Sequence, residues 1–173
     1  MKKIWVIGLL VLLLSGCGKE KPLETVADVP DAPVMAAMQK VLVELPPQLS
    51  TPALQDGETG TLYLCDDYSV TIQTVSAGDL EKTIRSATGM KKEDLQIIQT
   101  HQGDVKRYQW VWTANGEDGI QVGRCCVLDD GTYHYVLTAM AREDLAGKVS
   151  PEWRGIFASY RLTTDMEDIN TGS

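Results

Sequence analysis

Short runs of alternating apolar and polar residues fill the middle of the chain and predict a set of β-strands. Turn-forming residues separate the runs, so neighbouring strands are expected to pair as antiparallel hairpins. The proline- and glycine-bearing segment 46–60 is predicted to be a loop. The predicted strands are residues 40–45, 61–65, 68–75, 95–102, 105–114, 120–128 and 133–141.

The hairpin around Asp66-Asp67 allows its register to be predicted. A two-residue turn there pairs Cys65 with Tyr68 and Tyr63 with Val70. Because side chains alternate between the two faces of a strand, these four residues share the apolar face. The sequence therefore predicts that Cys65 lies in the core.

Two segments change to helical periodicity. The first is residues 76–88, with Ser76 expected at its N-terminus and Gly89 at its C-terminal cap. The second begins at Ser150-Pro151-Glu152, with a capping hydroxyl and a proline in the first turn. Its expected apolar face is Trp153, Ile156, Phe157 and Tyr160. We predict an α+β fold, an antiparallel sheet whose apolar face is covered by two amphipathic helices.

The first residues have the pattern of a secretory signal. Lys2 and Lys3 precede an apolar run, which ends at Leu14-Ser15-Gly16-Cys17. That ending resembles the lipobox of bacterial lipoproteins. The resemblance implies a signal peptide at residues 1–16 and a diacylglyceryl group on Cys17, which would start the mature protein. The alternative, an uncleaved membrane-spanning helix, needs about 20 apolar residues, more than this run supplies.

This resemblance also implies how the chain is divided and where it lies. Residues 17–38 are predicted to be the lipidated cysteine and a flexible tether, because residues 18–33 are polar and contain several prolines. Residues 39–162 are predicted to form one domain, and residues 163–173 an acidic tail. The expected location is the cell membrane, lipid-anchored on its extracytoplasmic face.

Charge excludes one class of partner. The chain has 16 Lys+Arg and 24 Asp+Glu, a net charge of -8. Nucleic acid is therefore not expected as a partner, because phosphate binding needs a cationic surface. For the same reason we expect the membrane to be contacted through the lipid on Cys17 alone.

Three cysteines remain after Cys17. Outside the cytoplasm, a disulfide from Cys65 to either Cys125 or Cys126 is one interpretation. Adjacent residues of a strand face opposite ways, so only one of that pair can share a face with Cys65. The alternative is that all three are small apolar residues in strands.

No motif of hydrolytic, phosphate-binding or zinc-dependent catalysis occurs in the sequence, so we expect no catalytic residues, no cofactor and no enzyme activity. The acidic pairs Asp66-Asp67 and Asp129-Asp130 could hold a cation. Both stand at predicted turns, where aspartate is favoured for local hydrogen bonding. No metal site is predicted.

Tryptophans supply the candidate ligand surface. Tyr108, Trp110 and Trp112 are expected on one strand face, and Trp153 on the last helix. Such a stripe is typical either of a ligand groove or of a sheet face covered by a helix. Lys106-Arg107 with Arg124 could form a local basic surface, although solvated charges are the simpler interpretation.

The order of elements, with the closing run Ile156-Phe157-Ala158-Ser159-Tyr160-Arg161-Leu162, resembles the PsbP/DcrB-like fold of photosystem extrinsic proteins and bacterial lipoproteins. The resemblance implies a layered fold and a binding or assembly role without a shared catalytic site. We therefore expect a non-catalytic envelope lipoprotein that binds or scaffolds an envelope protein. The alternative is a carrier or sensor of a small ligand, with an aromatic pocket beneath the C-terminal helix at Trp110, Trp112 and Trp153.

Overall fold

The structure is a computed structural model, and it describes residues 37–57 and 60–163. The predicted signal peptide, Cys17 and all but the last two residues of the predicted tether lie outside the described residues. So does the predicted tail after Thr163.

The described part of the chain contains nine strands and two α-helices, which confirms the α+β class. The strands are β1 (Val41–Leu42), β2 (Leu54–Asp56), β3 (Gly60–Leu64), β4 (Tyr68–Ser76), β5 (Ile98–Gln102), β6 (Val105–Gly116), β7 (Gly119–Asp129), β8 (Tyr133–Arg142) and β9 (Arg161–Leu162). The helices are α1 (Leu80–Thr88) and α2 (Ala146–Ser159).

Seven strands form one antiparallel sheet in the order β2-β3-β4-β8-β7-β6-β5, while β1 and β9 pair separately. The predicted register of the β3–β4 hairpin is confirmed, because Tyr63 pairs with Val70 and the Cys65 amide donates to the Tyr68 carbonyl at 3.1 Å. The long strands β6, β7 and β8 form a meander at the centre. Gly131 has φ 88°, the left-handed conformation expected in the β7–β8 turn.

The two helices cover opposite faces of the sheet, which corrects the expectation that both cover one apolar face. On the α2 face, helix residues pack with β4, β7 and β8; this cluster includes Tyr68, Val70, Cys126, Leu128, Tyr135, Leu137, Trp153, Ile156, Phe157 and Tyr160. On the α1 face, Ile84 packs with Trp110, Trp112, Cys125, Val127 and Val136. The central strands are apolar on both faces because both are covered.

Gly123 makes room for an indole on the α1 face. It pairs across the strands with Trp112, and a Cβ at Gly123 would lie 2.4 Å from Trp112 Cζ2. The absence of a side chain therefore allows Trp112 to lie flat against β7. This contact contributes to the burial of Trp112, which is 5% exposed.

Helix α1 begins at Leu80, so the prediction of a start at Ser76 is wrong. Strand β4 continues to Ser76, where it still pairs with Tyr133 of β8. Asp79 is the N-cap, and its carboxylate accepts from the Glu81 amide at 3.0 Å. The predicted C-terminal cap is confirmed, because Gly89 has φ 73°.

Helix α2 begins at Ala146, one turn before the predicted start at Ser150. A 3-10 turn, Glu143–Leu145, leads directly into it from β8. The extra turn buries Val149, which is 2% exposed, in the α2-face core. Pro151 therefore lies inside the helix rather than at its first position.

Three further boundaries differ from the sequence predictions. The segment predicted as a loop at 46–60 contains β2 and a 3-10 turn, Pro47–Leu49, whose Leu49 is fully buried. The strand predicted at 40–45 is reduced to β1, and the strand predicted at 95–102 to β5. No helix in the described residues has the length and apolar character needed to cross a bilayer.

Candidate functional site

A groove of about 440 Å³ lies on the α2 face, between α2 and strands β5 to β7. Seven strands spaced about 4.8 Å apart make a sheet close to 30 Å wide, whereas a helix is about 10 Å across. Helix α2 packs over β4, β8 and part of β7, so it leaves the β5 and β6 side of this face largely uncovered. The groove follows from that mismatch.

Most of the groove wall is apolar. Ile98 and Val111 are 66% and 64% exposed and lie on adjacent strands, so they form a shared apolar surface. The remaining apolar residues at the groove are Trp110, Val122, Ala146 and Trp153, and the polar ones are Gln96, Gln109, Arg124 and Ser150. The groove is therefore an apolar surface with a few polar groups, as small-ligand sites are.

Arg124 is the charged residue of the groove, and it is half-buried. Its Cζ lies 4.5 Å from the centroid of the Phe157 ring, in a cation–π contact with α2. Its one hydrogen bond within the described residues goes from Nη2 to Gln109 Oε1, at 3.3 Å. Because a guanidinium has five N–H groups, most of its donors have no protein acceptor among the described residues.

Arg107 lies on the same face, and its guanidinium donates hydrogen bonds to the end of α2. Its Nη1 donates to the Tyr160 carbonyl at 2.7 Å and its Nη2 to the Phe157 carbonyl. These carbonyls belong to the C-terminal end of α2, whose partial negative charge attracts a cation. Arg107 therefore forms hydrogen bonds with α2, whereas Arg124 contacts the helix only through the Phe157 ring.

Burial lowers the pKa of Arg124, and the neighbouring positive charge of Arg107 acts in the same direction, while Cys126 opposes both. The guanidinium remains charged at neutral pH, because its ordinary pKa lies far above that range. No carboxylate of the described residues lies within 4.0 Å of Arg124. The groove thus contains a charge that its own walls do not neutralise.

The structure separates the residues predicted as a ligand surface. Trp153 and Trp110 both border the groove, but the side chains of Trp110 and Trp112 are buried on the α1 face with Ile84. For these two residues the core interpretation is correct. Of the residues predicted as a basic surface, Arg107 and Arg124 share the α2 face, while Lys106 lies on the other face.

The three cysteines of the described residues are free thiols. Cys126 does share the α2 face with Cys65, and Cys125 is on the α1 face. However, β3 and β7 are three strand spacings apart, about 14 Å, whereas a disulfide spans at most about 7 Å between Cα atoms. The predicted Cys65 bridge does not fit this fold.

The acidic pairs are engaged in turn and surface contacts. The Asp130 carboxylate accepts from the amides of Thr132 and Tyr133, at 2.8 and 2.6 Å, and these bonds lower its pKa against the raising effect of burial. Asp67 pairs with Lys148 of α2 at 2.7 Å. Within residues 37–57 and 60–163, no three acidic, histidine or cysteine side chains are grouped as metal ligands.

The sequence prediction missed Gln109, Val111 and Val122 as groove residues. The sequence did indicate the face on which they lie, because the alternation that places Trp110 on one face of the strand puts Gln109 and Val111 on the other. The sequence does not show how much of the sheet α2 covers. The covered area determines whether Val111 is buried or exposed.

No family model and no curated protein matches the chain. Its structure is similar to that of LpqN of Mycobacterium tuberculosis, described as involved in cell envelope biogenesis. The two share 11% identity over 73% of this chain and 85% of that chain, with a TM-score of 0.48. It is also similar to PsbP (CyanoP) from Synechocystis sp. PCC 6803, with 9% identity, 64% and 79% covered, and a TM-score of 0.45. A Bacteroides thetaiotaomicron protein has 13% identity, 65% and 42% covered, and a TM-score of 0.42. Because these TM-scores lie below 0.5, none of the likenesses says what this chain does.

Proposed function

We propose that the chain is a lipid-anchored binding or scaffolding protein on the extracytoplasmic face of a bacterial membrane, and that it acts without catalysis. The observation that carries this proposal is Leu14-Ser15-Gly16-Cys17, directly after a cationic start and a short apolar run. A diacylglyceryl group at Cys17 supplies two acyl chains, and two chains hold a protein at a bilayer where one does not.

The rest of the chain is compatible with that role. Residues 39–162 fit a binding domain of the PsbP/DcrB-like layered type, on the order of strands and helices from β3 to α2. The acidic net charge disfavours adhesion to anionic lipid through the protein surface. Envelope proteins are therefore the proposed partners, with the lipid at Cys17 providing the membrane contact.

Expression of the native chain beside a Cys17→Ala variant tests the anchor. The native protein is expected to gain the mass of a diacylglyceryl group, to begin at Cys17 and to pellet with membranes. The variant is expected to lose the lipid mass and the processing. Two proteins of equal processing and equal partitioning would contradict the anchor and the extracytoplasmic location together.

A second function, a carrier or sensor of a small ligand, is favoured by one specific observation. The groove on the α2 face has a volume within the range of small-ligand sites, about 300–1,000 Å³, and exposes apolar residues beside a charged one. Trp153 at its wall supports an aromatic contact with such a ligand. Trp110 and Trp112 contribute to the fold from the α1 face instead.

A further inference from the structure

We propose that the groove on the α2 face binds a single-chain anionic amphiphile, a fatty acid, with its carboxylate at Arg124 and its alkyl chain along Ile98, Val111 and Val122. The inference rests on the carrier function above and specifies the chemistry of its ligand.

The charge of Arg124 indicates the head group. Arg124 is half-buried, gives one hydrogen bond and stacks on the Phe157 ring, but it has no carboxylate partner in the described part of the chain, so it can still pair with an anion. A planar carboxylate matches the fork of a guanidinium and forms charge-assisted hydrogen bonds with it. The Gln109 Oε1 already accepts from Arg124, and its Nε2 amide group can donate to the same head group.

The apolar wall indicates the tail. Ile98 pairs with Gln109 across β5 and β6, and Val111 pairs with Arg124 across β6 and β7, so apolar and polar side chains are adjacent on one face. A ligand that reaches Arg124 therefore also contacts exposed Ile98 and Val111. An alkyl chain removes this surface from water, whereas a small polar anion leaves it exposed.

The pairing of Val111 with Arg124 gives a direct test. In an antiparallel pair, opposite side chains are about 5 Å apart, so a glutamate at 111 would lie beside the guanidinium. The Val111→Glu variant is expected to neutralise Arg124 from within the chain and to displace an anionic head group. The matched control is Val111→Gln, which has the same size and no charge.

Photoreactive dodecanoate, with a diazirine in its tail, is the probe, and photoreactive dodecanol is its uncharged counterpart. Membranes that contain the full chain are irradiated with either probe, and adducts are mapped by peptide mass spectrometry. Dodecanoate is expected to label residues that line the groove. Val111→Gln is expected to lower labelling by both probes to a similar, modest extent, because it removes an apolar contact with the tail. Relative to Val111→Gln, Val111→Glu is expected to lower dodecanoate labelling about a further tenfold and to change dodecanol labelling less than twofold.

Arg124→Gln is expected to cause a similar loss for dodecanoate. Arg154→Gln, at an exposed arginine on α2, is the control for removal of a positive charge and should leave labelling unchanged. If Arg124→Gln does not fold, the Val111 pair still decides the question, because Val111 is mostly exposed and its replacement removes little packing.

Three results would overturn the inference: labelling by both probes that ignores the charge at position 111, adducts confined to residues outside the groove, or protection of the groove by a second copy of the chain. The Cys17→Ala variant is labelled in whichever fraction it is recovered, so that binding in the groove and anchoring to the membrane are measured separately. If the native chain is lipidated normally but its groove is not labelled, the ligand proposal is rejected and the anchor proposal is kept. Strong charge-independent labelling of the groove keeps the carrier function and rejects the carboxylate.

Discussion

Of the two histidines in the chain, His134 is buried on the α1 face, whereas His101 is exposed on β5. His134 Nδ1 and Thr83 Oγ1 share a hydrogen bond of 2.8 Å, which connects the sheet to α1. Burial lowers the pKa of His134, and the negative charges of Asp129 and Asp130 oppose that effect only in part. The folded chain therefore holds this ring neutral.

The lowered pKa makes the stability depend on pH in a definite direction. Below about pH 6.5, an unfolded histidine binds a proton that the folded one resists, so the unfolded state gains protons first. The free energy of unfolding is expected to fall as the pH decreases from 7.5 to 5.5, by at most about 1.4 kcal/mol per pH unit from this group. Denaturant titrations at several pH values measure it.

Two variants isolate this contribution. His134→Gln removes the titration and is expected to flatten the pH dependence in that window, while His101→Gln is expected to leave it as in the native chain because His101 is exposed. An equal effect of the two replacements would show that burial of His134 is not the cause.

Among the elements, α2 shows that packing can move a helix start away from the position that the local sequence predicts. Ser150-Pro151-Glu152 has the features of a helix start, yet the helix continues back to Ala146. Pro151 has no N–H, so the carbonyl of Gly147 loses its usual helical donor. Burial of Val149 offsets this loss, and burial depends on contacts that the local pattern does not contain.

Pro151→Ala is a test of this helix start. In a helix that runs through residue 151, the replacement restores a hydrogen bond and removes a steric clash, against a smaller entropic loss. We expect the free energy of unfolding to rise by about 1–2 kcal/mol, measured by denaturant titration. If the helix began at Ser150, proline would be favourable at its first position and the replacement would lower the stability.

Pro47→Ala is the matched control for that measurement. Pro47 stands at the start of the 3-10 turn Pro47–Leu49, where a missing N–H costs nothing. Its replacement is therefore expected to leave the stability unchanged or slightly lower it. A gain at Pro47 as large as that at Pro151 would indicate a general effect of proline removal instead of a helix-interior one.

At the same scale, the paired elements were predictable and the layers were not. The β3–β4 and β7–β8 hairpins follow from alternation and short turns, and the Tyr63–Val70 register was correct. The apolar stripe of α1 shows that the helix has a buried side but not which sheet face receives it. Because both faces of the central strands are apolar, that choice depends on the complete sheet.

The candidate site belongs to the whole molecule for the same reason. Arg124, Gln109 and Phe157 come from β7, β6 and α2, and their contact needs the meander and the last helix in place. The sequence indicated Arg124 as part of a possible basic surface and Trp153 as part of a possible ligand surface. It could not show that Arg124 is without a carboxylate partner among the described residues, which is the feature that makes it a candidate.

The reactivity of the cysteine thiols reports on global unfolding of the domain. Cys125 and Cys126 are fully buried on the central strand β7, while Cys65 is partly exposed. Burial raises the pKa of Cys126 to about 11, although Arg107 and Arg124 oppose it, and burial also raises the pKa of Cys125. Both thiols are thus shielded from solvent and held in the unreactive protonated form.

A thiol reagent added to the unreduced Cys17→Ala chain should therefore react in two phases. One thiol, removed by Cys65→Ser, is expected to react quickly, and two are expected to react only as the chain unfolds globally, because β7 lies between β6 and β8. Addition of denaturant should raise the total to three without any reductant. A total of one, rising to three only after reduction, would instead establish a disulfide and require β3 and β7 to lie closer than this sheet allows.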